Sequence, residues 1–312
     1  MQLLIKNGRI VNADSIREAD ILIEGGNIIK IGKLDVHTGI NTYDATGKLV
    51  IPGGIDPHVH LQLPSHTGYS SDDFDSGSRA ALFGGTTTFL DFVTPSRGQS
   101  LVEALELRRK QAFSSRTPHS FHISPVDLHE GLEDEIKKCI ESGYNSFKVY
   151  LAYKDKIGLE DGQLFKIMKM IQRQGGLLLV HCELGDEVEL LRSKLAVEDK
   201  KSVKNHALSR PNKLEGGAVE KVIEMAEKSS CPVYIVHVST REALAHIRKA
   251  KNKGIPIYAE TCPQYLLLDE SLYGQEFDKS ASHVCSPPYR SQADRNALWQ
   301  AIQDKVIDTI GT

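Results

Sequence analysis

The pattern of apolar and polar positions changes near residue 50, and this change predicts two regions. Residues 1–50 alternate short β-rich runs with turn signals, and Gly25-Gly26-Asn27 lies between two of these runs. Because glycine and asparagine supply the positive φ angles of tight hairpin turns, this region is predicted to be a small β meander. A few strands bury little apolar surface by themselves, so we expect this N-terminal β domain to pack on another element.

From residue 50 onward, short apolar runs alternate with stretches of helical spacing. Near-continuous runs such as 177–180 are typical of parallel strands buried on both faces. Leu164, Met168 and Ile171 show the helical spacing. Eight strand–helix units therefore predict an α/β fold, a (β/α)8 TIM-type barrel over residues 51–312. The predicted strands are 49–55, 86–92, 121–126, 146–151, 177–182, 233–238, 255–260 and 306–310.

Candidate metal ligands lie at the ends of several predicted strands. His58 and His60 are alternate residues, so in an extended strand both imidazoles point the same way and can bind one ion. By itself such a pair is a weak signal, because polar residues often end a strand. Lys148, His181 and His237 end later apolar runs, at the end of the barrel where active sites collect. Because clustered ligand types mark metal sites, the five positions together predict a metal centre.

Lys148 lies in the apolar run 146–151, where an unpaired ammonium is costly. Its charge must therefore be lost or compensated. One interpretation is an ion pair with a nearby Asp or Glu. The other is carbamylation by carbon dioxide, which gives a carboxylate that can bridge two metal ions. The surrounding histidines favour the second interpretation.

Composition and charge exclude several classes of partner. The 312 residues carry a net charge of -3 without a basic stripe, so no nucleic acid is expected as a partner. No apolar stretch approaches the ~20 residues of a membrane-spanning helix, and the first residues lack the pattern of a secretory signal. Five scattered cysteines without a Cys-x-x-Cys pair favour reduced thiols. We therefore expect a cytoplasmic protein with no membrane contact.

Six motifs resemble those of the amidohydrolase superfamily and, within it, the dihydropyrimidinase and hydantoinase branch. The His-x-His motif is common to the superfamily, whereas the lysine strand with Tyr153 and the Cys-Ser-Pro-Pro segment resemble this branch in particular. The motifs span nearly the whole chain: PGGIDPHVH (52–60), GGTTT (84–88), FKVYLAYK (147–154), VHCE (180–183), HVS (237–239) and CSPPYR (285–290).

The resemblance implies two divalent metal ions, with zinc preferred and manganese or cobalt not excluded by these ligands. It implies that His58 and His60 bind the more buried ion and that His181 and His237 bind the second. Carbamylated Lys148 would bridge the two ions, and a hydroxide between them would be the nucleophile.

The same resemblance implies how a substrate is held. Tyr153 would donate a hydrogen bond to the oxyanion that forms on the attacked carbonyl. The backbone at Ser286 would hold the amide edge of the ring. The loops 63–71 and 155–159 would select the ring substituent, with His66 and His283 as possible rim residues.

The reaction implied is hydrolytic opening of a cyclic amide, a dihydropyrimidine or hydantoin ring, to the N-carbamoyl amino acid. Allantoinase and dihydroorotase share the metal set, but a dihydroorotase should carry an arginine for its acidic substrate, and none lies within 60–69. The alternative from another class is a catalytically inactive dihydropyrimidinase-related assembly protein. The resemblance also implies a homo-oligomer, commonly a tetramer.

The chain ends at Thr312, at the end of the eighth predicted strand. In the family that it resembles, an aspartate follows there, binds the first ion and moves a proton to the leaving nitrogen. We expect the sequence to be a fragment of a longer enzyme, although a true truncation is the alternative. The part-formed β-sandwich would then be completed by later strands, and the 312 residues alone would be inactive.

Overall fold

The structure is a computed structural model that describes residues 2–35, 39–65, 68–198 and 202–312. It divides into two compact units, Met1–Gly54 and Ile55–Thr312. Within the described ranges, every helix is too short or too polar to cross a membrane.

The first unit is a five-stranded sheet with its longest strand, β1 (Gln2–Val11), near the centre. On one side, β1 pairs antiparallel with β2 (Ile16–Glu24), and β2 pairs with β3 (Asn27–Gly32) across the predicted glycine turn. On the other side, β4 (Asn41–Asp44) and β5 (Leu49–Val50) run parallel to β1. The unit is therefore a meander only in its first three strands, because the chain crosses to the far side of β1 before β4 begins.

The second unit is built on an eight-stranded parallel sheet, which confirms the predicted (β/α)8 architecture. The backbone N–H and the hydroxyl of Thr312 donate to the Asp56 carboxylate at 3.1 and 2.6 Å, so the last strand lies beside the first and the sheet is nearly closed. β7 and β8 form a separate small hairpin. In chain order the strands of this unit are β6 (Gly54–Val59), β7 (Pro64–Ser65), β8 (Gly68–Tyr69), β9 (Thr86–Val93), β10 (His119–Ile123), β11 (Ser146–Tyr150), β12 (Leu177–His181), β13 (Val233–Ile235), β14 (Ile257–Thr261) and β15 (Thr309–Ile310).

Helices alternate with these strands, and side-chain caps fix several of their first turns. Asp73 accepts the N–H of Ser76 ahead of the first helix, and Thr240 accepts the N–H of Ala243 ahead of the eighth. Two short 3₁₀ helices, Ala112–Ser114 and Glu270–Gly274, complete the set. The α-helices are α1 (Phe74–Phe83), α2 (Leu101–Gln111), α3 (Leu132–Glu141), α4 (Asp161–Arg173), α5 (Gly185–Glu198), α6 (Lys204–Leu208), α7 (Asn212–Ser229), α8 (Arg241–Asn252), α9 (Pro263–Leu267), α10 (Phe277–Ala281) and α11 (Gln292–Gln303).

Two predicted strand boundaries differ from the structure. The first barrel strand begins at Gly54 instead of residue 49, because Leu49 and Val50 pair with β1. The last strand is only Thr309–Ile310, since the N–H of Val306 is bonded to the α11 carbonyl of Ala301 at 2.8 Å. In both places an apolar run is shared between a strand and a neighbouring element, which the hydrophobic pattern cannot resolve.

Candidate metal centre and substrate cavity

Residues at and beyond the carboxyl ends of the barrel strands line a cavity of about 910 Å³. His58, His60, Lys148, His181 and His237 all contribute to its wall. They come from or directly follow strands β6, β11, β12 and β13. The structure therefore brings the five predicted ligand positions together in one place, as expected for side chains at the active-site end of a barrel.

Glu260 fixes the orientation of His58. His58 Nδ1 lies 2.7 Å from Oε1 of this fully buried carboxylate, which also accepts the backbone N–H of His237 at 3.1 Å. Its other oxygen accepts the Tyr234 hydroxyl at 2.7 Å. Burial lowers the pKa of His58 well below its ordinary value. A neutral imidazole that donates Nδ1–H to a carboxylate carries its lone pair on Nε2, the arrangement typical of a metal ligand.

Glu183 orients the second pair of histidines. His181 Nε2 lies 2.8 Å from Glu183 Oε2, and His181 Nδ1 lies 2.9 Å from His237 Nε2. Burial raises the pKa of Glu183, but the hydrogen bond from His181 and the charge of Arg210 outweigh it and hold this pKa below its usual value. An ionised Glu183 accepts Nε2–H, so Nδ1 is the nitrogen of His181 that faces His237.

Lys148 is almost completely buried, and its Nζ lies 5.0 Å from the ring centroids of both Phe92 and Tyr150. Burial lowers its pKa to about 7, although the charge of Glu260 opposes this shift. Of the carboxylates in the described ranges, none is within ion-pair distance of Nζ. The ion-pair interpretation of Lys148 is thus not observed, and burial favours the uncharged amine over the ammonium.

Tyr153 and Ser286 lie beside these groups. The Tyr153 ring centroid is 5.5 Å from that of His181, and the nearby Ser286 and Arg210 side chains both act to lower the Tyr153 pKa. Burial raises the pKa of Tyr153, so its hydroxyl stays protonated and can donate. The backbone φ angles of Tyr153 and His237 are +61° and +42°, a region that few residues other than glycine adopt.

The part of the chain that the structure describes contains no group of three His, Cys, Asp or Glu side chains already placed to hold an ion. The ring nitrogens of His58, His181 and His237 are instead bonded to Glu260, to Glu183 and to one another. These residues still fit a metal chemically. Their imidazoles are buried, and two of them hydrogen-bond a carboxylate through one nitrogen, which sets the other as the ligand.

Three groups of the site were missed by sequence reasoning. Glu260 ends an apolar run on β14 just as the histidines end theirs, and Glu183 lies two residues after His181 on the same side of the chain, so both had a readable signal. Arg210 lies between α6 and α7, and nothing in its local sequence connects it with the site.

Some of the predicted rim and loop residues line the cavity and others do not. Leu63, Tyr69 and Ile157, from the two loops predicted to select the substituent, line the cavity. His283 contacts the Tyr289 ring at 6.1 Å between centroids and does not line the cavity. His66 lies outside the described residues.

Comparison with known proteins gives one family. The amidohydrolase family profile matches residues 49–312. The chain is 40% identical over its whole length to a D-hydantoinase of Geobacillus stearothermophilus and 38% identical to one of Ralstonia pickettii, and it spans 67% and 68% of these relatives. Among solved structures, a dihydropyrimidinase from Brevibacillus agri NCHU1002 superposes on all of the chain with a TM-score of 0.97, at 35% identity and over 68% of its own length. An L-hydantoinase from Arthrobacter aurescens superposes with a TM-score of 0.86 at 27% identity. The superposition covers 99% of this chain and 68% of the L-hydantoinase chain. On this evidence the chain belongs to the amidohydrolase superfamily, in its hydantoinase and dihydropyrimidinase family.

Proposed function

We propose that this protein hydrolyses a cyclic amide, a hydantoin or dihydropyrimidine ring, to the N-carbamoyl amino acid. The observation that carries the proposal is a single cavity that Lys148, four histidines, Tyr153 and Ser286 line together. Relatives named D-hydantoinase and dihydropyrimidinase match along the whole chain, which agrees with this reaction. The retained ligand positions speak against an inactive assembly protein.

The proposed cofactors are two divalent metal ions, zinc in preference to manganese or cobalt. His58 and His60 would hold one ion, His181 and His237 the other, and Lys148 would bridge them after its Nζ adds to carbon dioxide and releases a proton. Support comes from the buried, carboxylate-bound imidazoles and from the buried amine with its pKa lowered to about 7. When bound, such ions supply Lewis acidity and activate water at neutral pH.

The chain's own residues do the remaining work. Tyr153 donates a hydrogen bond to the substrate carbonyl oxygen as negative charge develops on it, and its raised pKa keeps the proton on the hydroxyl. The backbone at Ser286 holds the amide edge of the ring. Glu260 and Glu183 keep the imidazoles in fixed tautomers.

We further propose a cytoplasmic homotetramer. All five cysteines are unpaired, as is usual in a reducing compartment. Phe83 and Phe113 are 91% and 93% exposed, and large exposed apolar side chains are typical of surfaces that associate. Sedimentation of the purified protein measures the assembly directly, and a monomer would contradict it.

The reaction is tested with the full-length protein, supplied with zinc, by following ring opening of dihydrouracil and of 5-substituted hydantoins together with metal content. We expect two ions per chain and activity that disappears on chelation. In Tyr153→Phe we expect kcat to fall by roughly 10²–10³ with metal content unchanged, because one oxyanion donor is lost. Tyr258→Phe, at a half-exposed tyrosine outside the cavity, is the matched control. Activity that survives thorough chelation would contradict the proposal.

A further inference from the structure

Two buried atoms beside the site have no hydrogen-bond partner. They are Glu183 Oε1 and Arg210 Nε, and within the described ranges only Thr117 Oγ1 shares this state. The side chains of Glu183 and Arg210 are 1% and 6% exposed, and the two atoms face each other at 3.5 Å. Because buried polar groups are nearly always paired, an unmatched donor and acceptor next to reacting groups call for an explanation.

Arg210 acts on two separate parts of the site. Its guanidinium lies near the Tyr153 hydroxyl, where its positive charge works to lower the pKa of that group. On another edge, Nε faces Glu183, whose second oxygen accepts the ring N–H of His181 at 2.8 Å. One cation therefore lies between the tyrosine hydroxyl and the carboxylate that orients a histidine.

A buried polar network also fixes the backbone of Arg210. Its backbone carbonyl accepts a hydrogen bond from Nη1 of Arg290. Arg290 in turn bonds Glu215 at 3.1 Å and the Ser239 hydroxyl at 2.9 Å. Ser239 lies two residues after His237. The position of Arg210 is therefore tied to the strand end that carries another site histidine.

A second contact connects the same segment to Ser286. His206, on α6, has Nε2 within 2.6 Å of the carbonyl of Cys285, and its Nδ1 lies 3.4 Å from Nη1 of Arg210. The segment from α6 to Arg210 thus contacts the residue before Ser286 and carries the charge that acts on the Tyr153 hydroxyl.

We propose that Arg210 is a positioning residue of the reaction: it directs the Tyr153 hydroxyl into the cavity and holds Glu183 against His181. This inference rests on the proposed function. A movement of about 0.5 Å converts the Nε···Oε1 contact into a hydrogen bond of ordinary length. Such contacts are often long in the free enzyme and shorten in the reacting complex. Lysine cannot replace Arg210, because it lacks the planar fork that reaches two partners at once.

The test is kinetic and compares Arg210→Met and Arg210→Lys with the full-length protein. We expect kcat to fall by about tenfold to a hundredfold in both, with KM changed by less than about threefold, because the lost interaction forms in the transition state. Added guanidinium ion should restore part of kcat in Arg210→Ala. Arg192→Met, at an exposed arginine paired with Glu189, is the matched control and should leave both constants unchanged.

A double variant separates positioning from a general structural effect. If Arg210 acts through Tyr153, then Arg210→Met should cause a clearly smaller fold-loss in a Tyr153→Phe background than in the wild type. The inference would be overturned if the fold-losses in kcat of the two single variants multiplied in full in the double variant. It would also be overturned if Arg210→Met raised KM and left kcat unchanged.

Crystal structures test the same inference without activity. In Arg210→Met we expect the Tyr153 hydroxyl to leave Ser286 and the Glu183 carboxylate to turn away from His181. Should this variant fail to fold, Arg210→Lys serves for the same comparison. If the wild-type protein opens no ring, only the proposed function is contradicted. If the Tyr153 and Glu183 side chains do not move in the variant structure, the inference about Arg210 is contradicted.

Discussion

The two carboxylates that orient the site histidines differ in how completely they are bonded. Glu260 accepts three hydrogen bonds, from the His58 ring, the His237 backbone and the Tyr234 hydroxyl. Burial raises its pKa above the ordinary value, against the effect of the bonds from Tyr234 and His237 and of the Lys148 charge. This carboxylate joins three strands and has no unused oxygen, so His58 is held in a fixed position.

Glu183 accepts a single hydrogen bond, from His181, while its other oxygen faces Arg210 at 3.5 Å. Its pKa is lowered, so it remains ionised although only one oxygen is hydrogen-bonded. The half of the site around Glu260 is therefore rigid, whereas the half next to Tyr153 keeps an unused hydrogen-bond pair that can adjust as substrate charge develops.

The largest effect is expected from removing the rigid carboxylate. Glu260→Ala leaves the partners on His58, His237 and Tyr234 unpaired in a buried space, so the free energy of unfolding should fall by about 3–5 kcal/mol. Urea denaturation measures this loss, and elemental analysis should show loss of bound metal. Glu224→Ala, at an exposed glutamate 3.8 Å from Lys228, is the control with no measurable change expected. If the free energy of unfolding were unchanged in Glu260→Ala, the proposed difference in rigidity between the Glu260 and Glu183 sides would be contradicted.

A smaller effect is expected on the adjustable side. Glu183→Gln removes the charge that pairs with Arg210, and its amide can present an oxygen to His181 or to Arg210 but not to both, so the free energy of unfolding should fall by about 1–3 kcal/mol. Zinc affinity, measured by competition with a chelator, should fall by about 10–100-fold, because the substituted residue orients a ligand. A stability loss as large as that of Glu260→Ala would contradict the comparison.

The smallest expected effect is a pH dependence of stability, and it tests whether Lys148 interacts with Glu260, on the rigid side of the site. Its pKa is lowered by burial from 10.5 to about 7. Between these values the unfolded chain binds more protons than the folded chain, so the stability of metal-free protein should rise with pH, by about 1 kcal/mol from pH 7 to 8. The rise should be absent in Lys148→Met.

Because the Lys148 amine interacts with Glu260, the pH profile should change in Glu260→Gln and stay the same in Glu183→Gln. Urea denaturation at several pH values measures it. A flat profile in the wild type, or equal changes in both glutamine variants, would contradict this assignment.

The barrel was predictable from sequence because parallel strands buried on both faces produce apolar runs, and the candidate ligands end those runs. The exact limits of the first and last strands were not predictable, since Leu49 and Val306 have apolar side chains that satisfy either of two neighbouring elements. Arg210 could not be inferred at all. Glu183, Arg290 and the nearby Tyr153 are distant from it in sequence, and only the fold brings the segment between α6 and α7 to them.

The backbone angles of Tyr153 and His237 have an evolutionary consequence. A φ near +61° or +42° costs a residue with a side chain roughly 1–2 kcal/mol relative to glycine. Selection for thermal stability alone would therefore favour glycine at both positions, whereas under the proposed function selection for the reaction would retain tyrosine and histidine. Stabilised variants obtained from a screen that scores folding only are expected to lose function first at these two residues.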